Sequence, residues 1–228
     1  TVMSEPAYVK GAGIQTLCHT VPGLWYQQCG SLNGGNVLKW LKNNVLLAEV
    51  GYEQLDKEAG KAPAGCDGLV FLPYLAGERM PYENPDARGL FYGLSMGHRQ
   101  SHIIRSVMEG VALNMRVCLD LLKAPGISRK RQSLIVSGGG AKGQTWQQIF
   151  ADVFEMPVCG TNMKEEACTG AAIMAAVGAG WFSGVEEAVK VFGSAEMTPV
   201  YPIGENTRVY QEKRELFQLL CQRFYQDL

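Results

Sequence analysis

One stretch of the chain combines residue types and a spacing that could bind a small molecule. An apolar run at positions 134–136 stops at Gly138, Gly139 and Gly140, and apolar residues recur at helical spacing from Trp146 onward. Glycine permits positive φ angles and lets a ligand approach the backbone closely. The first turn of a helix also leaves N–H groups unpaired. The pattern therefore predicts a strand, a glycine turn and a helix that together form a nucleotide site.

The local pattern leaves more than one interpretation of these glycines open. Residues 138–143 match the G-x-G-x-x-G fingerprint of dinucleotide-binding folds. The acidic residue expected after the next strand is poorly placed, because only Asn162 and Glu165 lie nearby. A P-loop is excluded, since Gln144 stands where that motif needs lysine. The remaining alternative is that the glycines serve only to pack a strand tightly against a helix.

The composition narrows the class of protein. The 228 residues carry a formal net charge of −1, which gives no electrostatic argument for binding nucleic acid or an anionic membrane. No apolar run approaches the roughly 20 residues of a membrane span. The seven scattered cysteines contain no Cys-x-x-Cys pair and favour a reducing, cytoplasmic environment. His98 and His102 stand four residues apart, but the helix is predicted to begin only at Ser101, so we expect no metal site.

The pattern along the chain predicts a mixed α/β fold in a single domain. We find no internal repeat and no long linker in it. Ser101 is the expected cap of a long helix that ends before Pro125. The predicted helices cover residues 33–46, 52–59, 101–122, 146–154, 167–177, 185–192 and 206–228, and the predicted strands cover 7–9, 16–18, 25–27, 69–72, 134–136, 157–159 and 198–200.

Two segments carry a resemblance to a known family. Residues 88–94 (Arg-Gly-Leu-Phe-Tyr-Gly-Leu) are followed, after seven residues, by residues 102–109 (His-Ile-Ile-Arg-Ser-Val-Met-Glu). Together they resemble the second signature of the FGGY carbohydrate kinases. Residues 71–79 resemble the loop that precedes this signature, residues 138–152 the adenosine segment, and residues 166–172 the helix that follows it. The resemblance spans nearly the whole chain.

The resemblance implies a fold, an activity and cofactors. The fold would be an actin-like ATPase (ribonuclease H-like) domain, a mixed sheet flanked by helices. Residues 1–228 would be one domain, the C-terminal, nucleotide-binding half of such a kinase, with the N-terminal half absent from this chain. The whole enzyme would use ATP and Mg²⁺ to phosphorylate a sugar or polyol hydroxyl. The aspartate that acts as base is expected upstream, so we predict no catalytic residue in this chain and no kinase activity for it alone.

Matched positions imply particular site residues. The implied nucleotide contacts lie in the glycine turn and at one further glycine: Gly139, Gly140, Ala141, Gln144 and Gly77. Glu78 and Arg79, in the loop after the 69–72 strand, are candidate cleft residues. They would either orient a domain interface or a phosphate, or form an ion pair that fixes the loop. No metal-ligating residue is implied within this chain.

The acceptor and the partners follow less directly from the resemblance. Residues 18–25 resemble a segment of xylulokinases, whereas residues 75–79 and the helix from Ser101 onward fit gluconokinases equally well. We favour a D-xylulose-type ketopentose as the acceptor, with gluconate or another polyol as the alternative. A non-catalytic nucleotide-binding module is a further alternative. Without the N-terminal half, an apolar face of the cleft would be exposed, and such a face would favour a homodimer.

Overall fold

The computed structural model describes residues 1–8, 13–122, 133–161, 165–192 and 198–226. The helices are α1 (Gly35–Trp40, continued by a π-turn over Leu41–Val45), α2 (Tyr52–Ala59), α3 (Gln100–Leu121), α4 (Gln144–Phe154), α5 (Glu166–Gly178), α6 (Val185–Phe192) and α7 (Gly204–Cys221). The strands are β1 (Val2–Met3), β2 (Gln15–Cys18), β3 (Trp25–Gln28), β4 (Val70–Leu72), β5 (Leu90–Tyr92), β6 (Leu134–Val136) and β7 (Val158–Gly160). No helix in these ranges is both long and apolar enough to cross a membrane.

The strands pair in both orientations, and the α/β class is confirmed. β1, β3 and β2 form an antiparallel sheet in that order, with Cys18 opposite Trp25. β4 and β5 form an antiparallel pair, whereas β6 and β7 run parallel on either side of α4 in the sequence. Within the described residues these are three separate small sheets rather than one continuous sheet.

Helix α3 is the centre of the core. Apolar side chains recur along it at helical spacing, and most of its residues are buried. It packs closely on β4 at Gly110, where a Cβ would overlap the carbonyl oxygen of Phe71. The predicted cap at Ser101 is wrong, because the helix begins at Gln100 and Arg99 is the N-cap. The His102 imidazole, at the third position of the helix, accepts a hydrogen bond from the Arg99 amide at 3.2 Å, as a Glu or Gln side chain does in a capping box.

A buried carboxylate joins α3 to α7. Glu109 is fully buried and accepts hydrogen bonds from Arg105 Nε (2.9 Å), Tyr210 Oη (2.7 Å) and Lys213 Nζ (2.6 Å). It also accepts one from the Gly65 amide at 3.0 Å. Burial opposes ionisation of Glu109, but the cations of Lys213 and Arg105 outweigh it and hold its pKa below the ordinary value. The glutamate of the signature segment therefore stabilises helix packing.

Several predicted elements differ from the structure. The predicted strand at 7–9 is absent at its described residues, because Ala7 O accepts hydrogen bonds from the side chains of Thr16 and Gln27 instead of from a strand. β5 was not predicted. The predicted strand at 198–200 is reduced to a single bridge between Val200 and Val158. Position 125 lies outside the described residues.

Candidate functional site

The predicted glycine turn lies between β6 and α4, as expected. Gly138 has φ 77° and ψ −160°, a conformation that favours glycine over any residue with a Cβ. The next residues, Gly139–Lys142, form one turn of 3₁₀-helix, and α4 begins at Gln144. The turn thus connects β6 to α4 through glycines that carry no side chain of their own.

This turn borders a large cleft of about 1270 Å³. Residues from α1, α2, α3, α4 and β6 line it, together with the loop after β3. The lining is predominantly apolar, with Val111, Phe150 and Val136 among its members. Two exposed lysines, Lys39 and Lys142, supply positive charge. A cleft of this size and polarity is typical of a site for a nucleotide-sized ligand.

Two predicted glycines expose backbone to the cleft. Gly139 and Gly140 both line it. A Cβ built at Gly139 would meet no atom within 4 Å, so the space beside it is open. A Cβ at Gly140 would lie 3.6 Å from the Trp146 ring, which is ordinary contact. The backbone at these positions can therefore contact a ligand directly.

Trp146 forms a flat wall next to the turn. Its side chain is 6% exposed, and its ring is nearly parallel to that of Phe150, with 6.0 Å between centroids and 11° between planes. Its indole Nε1 is buried and has no hydrogen-bond partner among the described residues. Buried donors without an acceptor are uncommon and costly. Trp146 belongs to the core, and it also lines the cleft.

The N-terminus of α4 is already occupied by a carboxylate. Asp56, near the end of α2, accepts hydrogen bonds from the Thr145 amide at 2.9 Å and the Trp146 amide at 3.1 Å. Asp56 O also accepts a hydrogen bond from the Thr145 hydroxyl at 2.8 Å. The expectation that this helix start offers unpaired N–H groups to an anion is therefore wrong at both amides. A Cβ at Gly143 would overlap the Asp56 carboxylate, so glycine is needed there for this cap.

A second carboxylate contacts the turn from the other side. Glu166, at the start of α5, accepts a hydrogen bond from the Gly138 amide at 3.3 Å and one from the Thr161 hydroxyl at 3.1 Å. Its own backbone amide, Thr161 and Gly138 together lower the pKa of Glu166, in that order of size. Two carboxylates thus take the amides of Gly138, Thr145 and Trp146, at the two ends of the turn.

The other predicted nucleotide residues lie at different places. Ala141 is within the 3₁₀ turn, and Gln144 is an exposed residue of the first turn of α4, outside the cleft lining. Gly77 is buried at φ 74°, and a Cβ there would lie 2.5 Å from the carbonyl oxygen of Pro85. Its own carbonyl accepts a hydrogen bond from Asn33 at 2.7 Å. The structure therefore brings Gly139 and Gly140 together at the cleft but not Gln144 or Gly77.

Glu78 and Arg79 both hold the loop after β3. Glu78 is 2% exposed and accepts hydrogen bonds from the Ser31 hydroxyl (2.6 Å), the Leu32 amide (3.0 Å) and the Asn114 amide group (3.1 Å). The exposed Arg79 side chain donates to the carbonyl oxygen of Gly30 at 3.3 Å. Since Gly30 and Ser31 line the cleft, these two residues support its wall from behind.

The two histidines have protein partners at each ring nitrogen. His98 lies before α3, as predicted, with Nδ1 accepting from the Ser95 amide at 2.8 Å and Nε2 3.2 Å from Cys66 O. His102 Nε2 lies 3.1 Å from Asp67 Oδ2, and its Nδ1 caps α3. Across the described part of the chain, no group of three or more His, Cys, Asp or Glu side chains could hold a metal ion. All seven cysteines are free.

Sequence reasoning missed Asp56 and the role of Trp146 as a cleft wall. Asp56 lies 89 residues before Thr145, and nothing in the local pattern links the two. One usable signal was the absence of a capping side chain at the start of α4, where Gly143 stands before Gln144. A helix start without its own cap must be completed by a distant group or by water.

Comparisons with known proteins agree on one family. The sequence matches the FGGY family of carbohydrate kinases, C-terminal domain, over residues 1–179. It is 32% identical over 203 residues to a xylulose kinase of Staphylococcus epidermidis, covering 89% of this chain and 40% of that protein. It is 34% identical over 195 residues to a gluconokinase of Bacillus subtilis, covering 81% of this chain and 37% of that protein.

A solved structure gives the same result for the fold. The structure superposes on a xylulose kinase from Rhodospirillum rubrum with a TM-score of 0.79 at 32% identity, covering 92% of this chain and 42% of that one. The chain thus spans about 40% of the length of the relatives it matches. The actin-like ATPase fold of these sugar kinases is confirmed. The chain belongs to the FGGY family of carbohydrate kinases and contains the C-terminal domain of that family.

Proposed function

We propose that this chain supplies the nucleotide-binding half of an ATP-dependent sugar kinase, with the nucleoside bound at the glycine turn. One observation carries the proposal. The bare backbone of Gly139 and Gly140 faces a large apolar cleft beside the Trp146 indole. Planar bases bind well against apolar and aromatic walls, and glycine backbone admits them at contact distance.

The residues present fit ATP in two respects. The backbone at Gly139 lies beside open space, where a Cβ would meet no atom within 4 Å, and the apolar cleft beside the Trp146 ring would take a planar base. Gly139, Gly140 and Trp146 would contact the base and ribose, with Ala141 next to them in the turn and Gln144 beyond it at the start of α4. When bound, ATP supplies the γ-phosphoryl group as its complex with Mg²⁺. The apolar cleft walls would exclude water and fix the nucleoside end.

The phosphates of a bound nucleotide would point away from the turn rather than bind to its amides. Asp56 and Glu166 take the amides at either end of the turn and would repel a phosphate placed there. Lys39 and Lys142 are the cationic residues of the cleft lining and would attract the phosphates. The same carboxylates argue against the dinucleotide alternative, in which a pyrophosphate occupies the helix N-terminus.

For the acceptor we favour a D-xylulose-type ketopentose. Relatives at 32% identity are named xylulose kinases. Gluconate is the second candidate, because a gluconokinase is 34% identical. Since this chain spans about 40% of such enzymes, we infer that the sugar contacts and the aspartate base come from the rest of the enzyme. The chain alone would then bind nucleotide without phosphorylating sugar.

Calorimetric titration of the chain with ADP tests the nucleotide site. Gly139→Val adds a side chain into open cleft space without a positive φ, so it should weaken ADP binding at least tenfold and leave the fold intact. Gly170→Val, on the exposed face of α5 with no atom within 4 Å, is the matched control and should bind ADP normally. Unchanged affinity in Gly139→Val, or equally tight binding of NAD⁺, would overturn the proposal.

A coupled ADP-release assay tests the acceptor and the division of labour. The complete enzyme containing this domain should turn over D-xylulose with a higher kcat/KM than gluconate, whereas residues 1–228 alone should show no sugar-dependent turnover. A higher kcat/KM for gluconate than for D-xylulose would make gluconate the acceptor instead of the ketopentose. ADP binding by a complete enzyme that phosphorylates neither sugar would support the non-catalytic alternative.

A further inference from the structure

Glu78 joins three elements at one side of the cleft. Its buried carboxylate, in the loop after β4, accepts hydrogen bonds from the Ser31 hydroxyl and the Leu32 amide, both in the loop after β3 (residues 29–34). It also accepts one, at 3.1 Å, from the side-chain amide of Asn114, which is a fully buried residue of α3. One carboxylate therefore ties the loop after β3 to α3.

The hydroxyl of Ser31 is fully used in these contacts. It donates to Glu78 Oε2 at 2.6 Å and accepts hydrogen bonds from the Asn33 amide at 3.0 Å and from Asn114 Nδ2 at 3.1 Å. A hydroxyl has one donor and two acceptor positions, so none remains for a ligand. Ser31 lines the cleft, but its hydroxyl serves to hold the loop in place.

Two buried asparagines reinforce the same connection. The side-chain amide of Asn33 donates to Gly77 O at 2.7 Å and accepts from the Ala76 amide at 3.3 Å, which binds the loop after β3 to the loop after β4 a second time. Asn114 is oriented by Tyr74, whose hydroxyl donates to its Oδ1 at 2.9 Å. Buried polar networks with satisfied hydrogen bonds favour a single arrangement of the elements that they join.

The elements that Glu78 joins are neighbouring walls of the cleft. Ser31 lines it from the loop after β3, whereas Val111 and Met115, on either side of Asn114 in the sequence, line it from α3. The glycine turn and Trp146 line it as well. The position of the loop relative to α3 therefore sets the shape of the space that a ligand at the turn would occupy.

We propose that Glu78 is a positioning residue for the nucleotide, which holds the loop after β3 against α3 and keeps the cleft in the shape that binds ligand. The inference rests on the nucleotide site proposed above. Glu78 is 2% exposed and does not line the cleft, so it acts through Ser31 and Asn114 rather than by contact with the ligand. If its loss left the loop in place only about one fifth of the time, the apparent Kd for ADP would rise about fivefold, because only the binding-competent fraction takes up ligand.

Hydrogen exchange and calorimetric titration with ADP test the proposal on the 228-residue chain. Glu78→Ala removes the acceptor of the Leu32 amide, so that amide should exchange faster, and the Kd for ADP should rise about fivefold. Ser31→Ala removes only the hydroxyl and should raise the Kd in the same direction, which keeps the test valid if Glu78→Ala fails to fold. Glu78→Gln keeps an acceptor for Leu32 and should bind ADP more tightly than Glu78→Ala.

Glu109→Gln is the control for a general loss of stability. It weakens the packing of α3 on α7 and does not line the cleft, so it should lower the urea midpoint without changing the Kd of the folded chain. An equal rise of the Kd in this control, or normal ADP binding by Glu78→Ala and Ser31→Ala, would overturn the inference while the nucleotide site stands. Failure of the unaltered chain to bind ADP would overturn both.

Discussion

Replacing the buried carboxylate between α3 and α7 should destabilise the domain strongly. Glu109→Gln keeps the shape of the side chain but removes its charge. The amide NH₂ cannot accept the hydrogen bond that one carboxylate oxygen accepts, and neutralising the side chain leaves the buried cations of Arg105 and Lys213 without their counter-charge. Breaking a buried ion pair from one side costs about 3–5 kcal/mol. Lys213 keeps hydrogen bonds to Gly65 O at 2.9 Å and Leu69 O at 2.6 Å, so we expect a loss of stability at the lower end of this range.

Urea unfolding followed by tryptophan fluorescence measures this loss. A decrease of about 3 kcal/mol is a large part of the 5–15 kcal/mol that stabilises a typical domain. It would lower the urea midpoint by about 1 M or more. The matched control is Glu53→Gln, which removes an exposed partner of Lys57 on α2 and should leave the midpoint unchanged within error.

A double-mutant cycle shows whether the loss comes from the unpaired charge. Lys213→Met in the Glu109→Gln background removes one of the two cations that lost their partner. The two substitutions together should therefore cost less than the sum of their separate effects. Additive effects, or a Glu109→Gln chain within about 1 kcal/mol of the unaltered one, would refute the electrostatic account of this cluster.

Three further predictions follow from the described contacts. Because folding lowers the pKa of Glu109, its ionised carboxylate contributes fully to the stability of the domain above the ordinary pKa of 4.5. That contribution is lost as the pH falls through the lower pKa of the folded state. The urea midpoint should therefore fall in acid, and it should fall less in Glu109→Gln. Asp56→Ala removes the cap of α4 and should cost about 1–2 kcal/mol, with faster amide hydrogen exchange at the start of α4. Gly77→Ala places a Cβ at φ 74° and 2.5 Å from Pro85 O and should lower the urea midpoint, whereas Gly178→Ala, with open space around it, should not.

The sequence predicted those elements whose pattern is local. The bounds of α2, α6 and β6 are as predicted, because periodicity and flanking residues define each of them without help from elsewhere. β5 was missed because its three residues, Leu90–Tyr92, lie between two glycines in a segment without alternation. The strand bounds depend on pairing partners, such as β4 for β5, and single-strand patterns do not contain that information.

The candidate site likewise has features that the local sequence predicts and features that depend on tertiary packing. The glycine turn was predictable because a strand, three glycines and a helical pattern are contiguous in the sequence. The roles of Asp56 and Trp146 were not, because each depends on which distant elements pack together. The signature segment was informative about the family, but its Glu109 and His102 serve packing and capping rather than ligand binding.

In the proposed nucleotide site, two of the protein's own carboxylates favour one end of a nucleotide over the other. A glycine-rich turn before a helix usually attracts an anion, because free amides and the helix dipole favour negative charge. Here Asp56 and Glu166 already supply that charge at both ends of the turn. A phosphate would have to displace a carboxylate from its hydrogen bonds, whereas a base or ribose needs only the uncovered backbone of Gly139 and Gly140. In the proposed site, the phosphates of a bound nucleotide would therefore point away from the turn and its two carboxylates.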